Sequence, residues 1–315
     1  MSDALVSPAV GGVMWVSALT VARRASRKME ATETETLPLM GVAGAFVFAA
    51  QMINISIPGT GSSGHLGGGL LLASLVGPEA AFLIMFAVLF IQATFFADGG
   101  LLALGCNVIN MGFFPIFVAF PLIRNSLVQS GTRSRARIVM AAVIGVELGA
   151  AGVVLETALS GLAALHWKPF LAAFLPIHLA IGLLEGAVTV TILSFLYRLR
   201  PGMIPANTEI RKTNYRKLTV GIILTAIVVA GLGSRFASTH PDGLEWSLGK
   251  GQFLASGPSK LQEKTAPFPD YQTGLQNEES SSWAGLIGIL ITLSVLTGLR
   301  KLFIARRNNS SHSDP

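Results

Sequence analysis

Nine apolar runs constrain this chain more than any other feature. They lie at roughly 5–22, 37–57, 66–77, 79–97, 101–123, 138–159, 171–197, 218–233 and 283–304. Most come near the ~20 residues that a helix needs to cross a bilayer. In lipid every backbone N–H and C=O must find a partner within the protein, so only helices and closed barrels can span. The composition agrees, with 51% of 315 residues hydrophobic and 13% charged, against about 25% charged in soluble domains. Mean hydropathy is +0.60. A soluble protein with a large core would still need a charged exterior, so the chain reads as all-α, a polytopic membrane helical bundle. The run 66–77, at about 12 residues, can only half-span or lean on its neighbours. Pro115, Pro121 and Pro176 fall inside runs and are expected to kink them.

The basic residues set an expected orientation. Arg23, Arg24, Arg27 and Lys28 follow the first run, and Arg124, Arg133, Arg135 and Arg137 follow the fifth. Arg198, Arg200, Arg211, Lys212, Arg216 and Lys217 follow the seventh, and Arg300, Lys301, Arg306 and Arg307 the last. These are 18 of the 23 Lys and Arg residues. Short basic loops stay cytoplasmic. An outer N-terminus and nine crossings put all 18 inside, with a cytoplasmic C-terminus, in the cell membrane. The parity works only if the short third run counts as a crossing, which favours a helix there. Met1, the loop 58–65 and Asp98-Gly99-Gly100 then share the outer side.

Three parts follow. Residues 1–200 form seven segments, 201–217 a basic cytoplasmic linker, and 218–315 a two-helix hairpin holding the polar stretch 234–282. That stretch, about 50 residues long, is too small for much core of its own. It is expected to be an extracytoplasmic loop domain packed on the membrane part. No internal repeat is evident, which weighs against an inverted-repeat secondary transporter. Cys106 is the single cysteine, so no intrachain disulfide can form. No basic residues precede the first run, so it reads as a retained segment and not a cleaved leader.

The stretch Pro58-Gly59-Thr60-Gly61-Ser62-Ser63-Gly64-His65-Leu66-Gly67-Gly68-Gly69 puts an imidazole among glycines between two apolar runs. Glycine allows close backbone approach and positive φ. Irregular backbone at membrane depth survives only where protein or a watery cavity covers it. The loop is therefore either a packed re-entrant connection or the lining of a small polar pocket. Gly59 to Leu66 approaches the phosphate-cradling G-x-x-x-x-G-K-[ST], but His65 replaces the Lys and Leu66 the magnesium-holding hydroxyl. No nucleotide site is expected there.

Ionisable groups inside apolar runs cost about 2.5–3.5 kcal/mol on insertion scales, so each is a functional candidate. These are Glu147, Glu156, His178 and Glu185. His178 and Glu185 are seven apart and share a helix face. They could relay protons or bind a cation, or simply pin two helices together or face a partner subunit. Glu156 is expected near the outer interface, and Glu147 to hydrogen-bond between helices. His65 is either structural or a metal ligand. Imidazole and amine nitrogens suit nickel(II), cobalt(II) and copper(II). Gln51, Asn54, Gln92, Asp98, Asn107 and Asn110 could orient an imidazole or hold water, or make ordinary interhelical hydrogen bonds.

Four motifs together resemble one family. They are Ser7-Pro8-Ala9-Val10, the PGTGSSGHLGGG run, Phe96-Ala97-Asp98-Gly99-Gly100-Leu101, and Gly105-Cys106-Asn107-Val108-Ile109-Asn110-Met111-Gly112. The set, over about residues 1–200, resembles the CbiM/NikM substrate-binding proteins, the S components of energy-coupling factor importers for cobalt(II) and nickel(II). Pro241-Asp242-Gly243-Leu244-Glu245 resembles the PDGLE module of the small accessory subunit, so the whole resembles a NikM–NikN-type fusion. The resemblance implies a non-enzymatic transport subunit. Its metal is held by nitrogens of the extreme N-terminus, here the Met1 amine, and by the Gly-His-Leu histidine, which is His65. It also implies a separate transmembrane T component (CbiQ/NikQ-like) and cytoplasmic ATPases (CbiO/NikO-like), with no nucleotide and no nucleic acid on this chain. Family members begin Met-His, whereas this chain begins Met1-Ser2-Asp3. The resemblance therefore predicts Met-His codons immediately upstream of Met1, with Asp3 as a weaker oxygen ligand in the chain as it stands. Two other readings stay open at this point: a self-sufficient secondary cation transporter using His178 and Glu185, and a ligand-free membrane scaffold.

Overall fold

The first helix, α1 (Pro8–Ala31), does not stop where its apolar run stops; it continues past Arg23, Arg24 and Arg27 for 24 residues in all. Long basic side chains suit a helix that ends at a membrane surface, because they can reach water while their stems lie along apolar neighbours. The computed structural model describes residues 1–31, 37–127, 131–161, 166–199, 215–250, 260–273 and 280–310. The expected linker 201–217 lies outside the described residues except for its last three.

After α1 come α2 (Leu37–Gln51), the antiparallel strands β1 (Ile55–Ile57) and β2 (Ser62–Gly64), α3 (Gly69–Val76) and α4 (Pro78–Phe95). Then follow α5 (Leu104–Val108), a π-helical run Ile109–Ala119, α6 (Phe120–Ile123), α7 (Thr132–Leu159) and α8 (Trp167–Leu199). The C-terminal part holds α9 (Tyr215–Leu232), the short α10 (Gly243–Lys250) and α11 (Lys260–Thr265), and α12 (Ser280–Ser310). Among the described residues five helical stretches are long and apolar enough to cross a membrane: Pro78–Phe95, Leu104–Ser126, Thr132–Leu159, Trp167–Leu196 and Ser280–Ala305. Two shorter apolar ones are Leu39–Gln51 and Thr219–Leu232. The protein is thus an all-α membrane bundle, carrying one hairpin of three-residue strands that the apolar pattern did not announce. Large apolar side chains on the outer faces of these helices, such as Leu155, Leu183, Phe195 and Leu290, are exposed, as lipid contact requires.

The π-helical run is where Pro115 sits. Proline has no N–H to give the preceding turn, and a wider turn is one way to absorb the defect. Gly145 of α7 packs there, where an added Cβ would stand 3.0 Å from Pro115 Cα. On α8, Gly182 and Gly186 play the same part against Val143 and Val139 of α7. Small residues four apart let two helix backbones approach without a hydrophobic force between them.

Two ends of the bundle can be told apart. Lys28 of α1 pairs with Glu79 of α4, which puts the end of α1 beside the start of α4. At the opposite end Gly100 N–H donates to Met1 O (3.0 Å), and Ser7 N–H donates to Ser160 Oγ (3.0 Å). The segment 65–77 therefore carries the chain from the Met1 end to the Lys28 end. Helix α3 covers only eight of those residues, about 12 Å of rise. Residues 65–68 supply the rest in irregular backbone. Every α3 residue but Leu75 is buried, so protein and not lipid surrounds this broken crossing.

The C-terminal part grips the bundle along its length and over its Met1 end. Helix α12 packs on α2, with Gly288 against the Phe48 ring and Gly44 against Leu296. Above, Phe268 N–H donates to Phe95 O and Asp270 N–H to Phe96 O, both at 2.9 Å. Gln262 Nε2 donates to Ala93 O (2.8 Å) and Gly99 O (2.6 Å).

Candidate functional site

The β1–β2 hairpin delivers His65. Gly59 (φ 77°) and Gly61 (φ 76°) turn it, and Ser62, Ser63 and Gly64 are buried. His65 Nδ1 lies 3.2 Å from Leu66 O. A carbonyl can only accept, so Nδ1 carries a proton, and the lone pair of the neutral ring is the one on Nε2.

The chain's first residues reach the same place. Leu5 is fully buried and Val6 nearly so. Met1 O accepts from Gly100 N–H and from Asn107 Nδ2 (3.2 Å). Asp3 Oδ1 accepts from Ala103 N–H at 2.9 Å, so this carboxylate anchors the N-terminal segment to the turn before α5. Gly100 is required at that turn, because an added Cβ would run into Asp3.

Two cavities meet at His65 and Met1, each lined by both residues. The inner one, about 160 Å³, reaches Asn107, Asn110, His178 and Glu185. The outer one, about 380 Å³, is lined by Gln51, Asn54, Asp98, His240, Glu245 and Asp270. Asp242 lines both. Of the six anticipated amides and carboxylate, Asn107 and Asn110 line the inner cavity, Gln51, Asn54 and Asp98 the outer one, and Gln92 stands behind Gln51. Their partners are now explicit. Gln51 Nε2 donates to Gly67 O (2.8 Å), and Gln92 Nε2 donates to Gln51 Oε1 (2.9 Å). Asn54 accepts from Ser238 N–H only through its main-chain O (2.7 Å) and its side-chain Oδ1 is buried without a hydrogen bond, Asp98 accepts the Tyr271 hydroxyl (2.7 Å), and Asn110 Nδ2 donates to Glu156 Oε2 (2.8 Å). Glu156, expected at the outer interface, is buried between α7 and the π-helical run. Glu147 is half-buried on α7.

His178 and Glu185 share a face of α8 and line one cavity, yet each is bonded elsewhere. His178 Nδ1 donates to Phe174 O at 2.9 Å. Both oxygens of Glu185 accept main-chain N–H groups, from Gly67 (2.9 Å) and Gly68 (3.1 Å).

The Pro241–Glu245 motif closes the cavities from above. Ser63 N–H donates to Pro241 O (2.8 Å), Ser63 Oγ donates to His240 O (2.8 Å), and Ser63 bridges Asp242 in parallel fashion. Asp242 Oδ1 accepts from Glu245 N–H (2.8 Å), capping α10. Gly243 lies against Ile177 and His178. Burial, and secondarily the Asp242 charge, raises the Glu245 carboxyl above its ordinary range. Among the described residues no three His, Cys, Asp or Glu side chains converge to hold a metal ion. Sequence reasoning expected the loop domain to pack on the membrane part, but missed its contact with Ser63 over the cavities and the Glu185 clamp. The only available signals were a buried carboxylate and an Asp-Gly turn, and neither says what it will meet.

A broken helix crossing, an imidazole at its mouth and an N-terminus threaded beside it define a polytopic membrane protein with a capped polar cavity. The chain belongs to the family described as "Cobalt uptake substrate-specific transmembrane region", CbiM, matched over residues 1–203, and carries a PDGLE domain over 216–305. It is 30% identical over 299 residues to a putative fused nickel transport protein NikMN of Archaeoglobus fulgidus, covering 93% of this chain and 95% of that one. It is 31% identical over 211 residues to the cobalt transport protein CbiM of Geobacter sulfurreducens, covering 62% and 60%. A solved structure titled as a transition metal transporter aligns with TM-score 0.57 at 27% identity, covering 69% of this chain and 98% of that one.

Proposed function

We propose that this chain is the substrate-specific membrane subunit of an ATP-driven, energy-coupling factor importer, and that it captures nickel(II) or cobalt(II) on the outer face. The observation that carries this reading is that His65 and Met1 line the same two cavities. Imidazole Nε2 supplies one nitrogen. Among the described residues no three His, Cys, Asp or Glu side chains converge to hold a metal ion, and the further donors in this reading are the terminal and main-chain nitrogens of the first residues, as the family resemblance implies. Such nitrogens suit both metals. Carboxylates of Asp98, Asp242, Glu245 and Asp270 around the mouth raise the local concentration of a divalent cation. The Lys- and Arg-rich end, with Arg124, Arg135, Arg137, Lys28 and Lys301, is the cytoplasmic one by the positive-inside rule. There a T component and ATPases would engage, and the chain itself hydrolyses nothing.

The test is calorimetric titration of nickel(II) and cobalt(II) into the purified chain as written and extended by Met-His, each with and without His65→Ala. Saturable binding that His65→Ala removes is expected. Equal behaviour of all forms would refute the site. Uptake in cells with and without the ATPase subunits separates ATP-driven import from a self-sufficient carrier.

A further inference from the structure

The peptide two residues beyond His65 is held on both of its polar sides. Gly67 N–H donates to Glu185 Oε2 and Gly67 O accepts from Gln51 Nε2, while Gly68 N–H donates to Glu185 Oε1. Gln92 backs Gln51 in turn. Glu185 (2% exposed), Gln51 (6%) and Gln92 (4%) are all out of solvent. Helices α8, α2 and α4 thus converge on one short piece of irregular backbone.

Two features tie the contact to a two-oxygen acceptor and to glycine. A carboxyl group can accept one of the two N–H donors at each of its oxygens. A neutral amide could satisfy just one of the pair and would turn its own NH₂ against the other. A Cβ on Gly67 would stand 2.7 Å from Glu185 Oε2, so only glycine lets the carboxylate reach the backbone. Gly68 adds a positive φ of 80°. Glu185 also lines the inner cavity beside His65.

We propose that Glu185 is a positioning residue for metal capture: through Gly67 and Gly68 it fixes the loop that presents His65 to the cavity the cation enters. This rests on the capture reading above.

The test uses the full chain, in whichever N-terminal form binds metal. Nickel(II) is titrated by calorimetry and cobalt(II) by visible absorption, for Glu185→Gln, Gly67→Ala, their combination and His65→Ala. Outer partners of metal ligands typically contribute about 10–100-fold in affinity. Glu185→Gln and Gly67→Ala are each expected to weaken nickel(II) binding by about that factor and to shift the cobalt(II) band. The double variant is expected to be no worse than the weaker single, because both break one contact. If His65→Ala abolishes binding while the other two bind with wild-type affinity and spectrum, the positioning role is wrong and capture stands. Weaker binding with an unchanged cobalt(II) spectrum also overturns it, since a merely loosened fold leaves the imidazole in place. If His65→Ala binds like wild type, or no form binds, the capture reading itself falls. Should Glu185→Gln not fold, Gly67→Ala alone decides by the same outcomes.

Discussion

Tyr271 donates its hydroxyl to Asp98 Oδ2 at 2.7 Å, and its ring stacks on Phe96 with centroids 4.7 Å apart and planes 19° from parallel. One side chain thereby ties the loop after α11 to the bundle by a polar and an apolar contact at once. Burial, then the neighbouring Asp98 charge, raises the phenol well above its ordinary pKa of 10. Between the unfolded and the folded value the unfolded chain has lost a proton that the folded one keeps, so stability falls as pH rises. Below about pH 10 the contribution is level. Thermal unfolding in detergent should therefore show wild type losing stability above pH 10 more steeply than Tyr271→Phe, which keeps the ring and removes the titration.

The cap over the cavities rests on a glycine. At Gly243 an added Cβ would lie 2.9 Å from Ile177 Cγ2 and 3.3 Å from His178 Cε1. Gly243→Leu should lift the cap and speed carbethoxylation of His65 by diethyl pyrocarbonate several-fold, with the helix content by circular dichroism unchanged. An unchanged rate would mean that the cap does not shield the imidazole.

Helix α8 reaches α7 through Gly186, where a Cβ would come within 2.7 Å of Val139 Cα. That neighbour is backbone and cannot swing aside. Gly186→Leu should lower stability by about 1–3 kcal/mol, the usual cost of overpacking, and be read as a lower melting temperature in detergent. Gly221→Leu on α9, where nothing lies within 4 Å, is the control and should be close to neutral.

In the Gln92–Gln51–Gly67 chain both glutamines are buried. Gln92→Leu would leave Gln51 Oε1 without its donor, at a cost of about 1–3 kcal/mol. Hydrogen–deuterium exchange of the peptide spanning 64–72 should quicken in this variant. Exchange at the wild-type rate would show that Gln51 holds Gly67 without support.

Much of the bundle was legible because apolar run length reports bilayer thickness directly. The runs at 79–97, 138–159 and 171–197 became α4, α7 and α8 with small shifts at their ends. Where lipid is not the surrounding medium the pattern misleads. Residues 66–68 look like the start of a helix, but they are irregular, because buried carboxylate and amide groups take over their backbone hydrogen bonds. The strands at 55–57 and 62–64 were hidden for the opposite reason. They are only three residues each, too short to show an alternation, and Ser63 takes part of its pairing from Pro241 and Asp242, far along the chain. His65 stood out as an imidazole among glycines. Glu185 was visible as a costly buried charge, yet its partners are backbone groups, which every residue carries and no sequence distinguishes.

The contact of Ser63 with Pro241 and Asp242 joins parts that lie 178 positions apart for Ser63 and Pro241. Because one polypeptide carries both, the cover cannot be lost by dilution. Tethering sets its local concentration on the order of millimolar, whatever the expression level of the protein. A weak latch is then enough to keep the mouth shut most of the time, and a weak latch can reopen quickly.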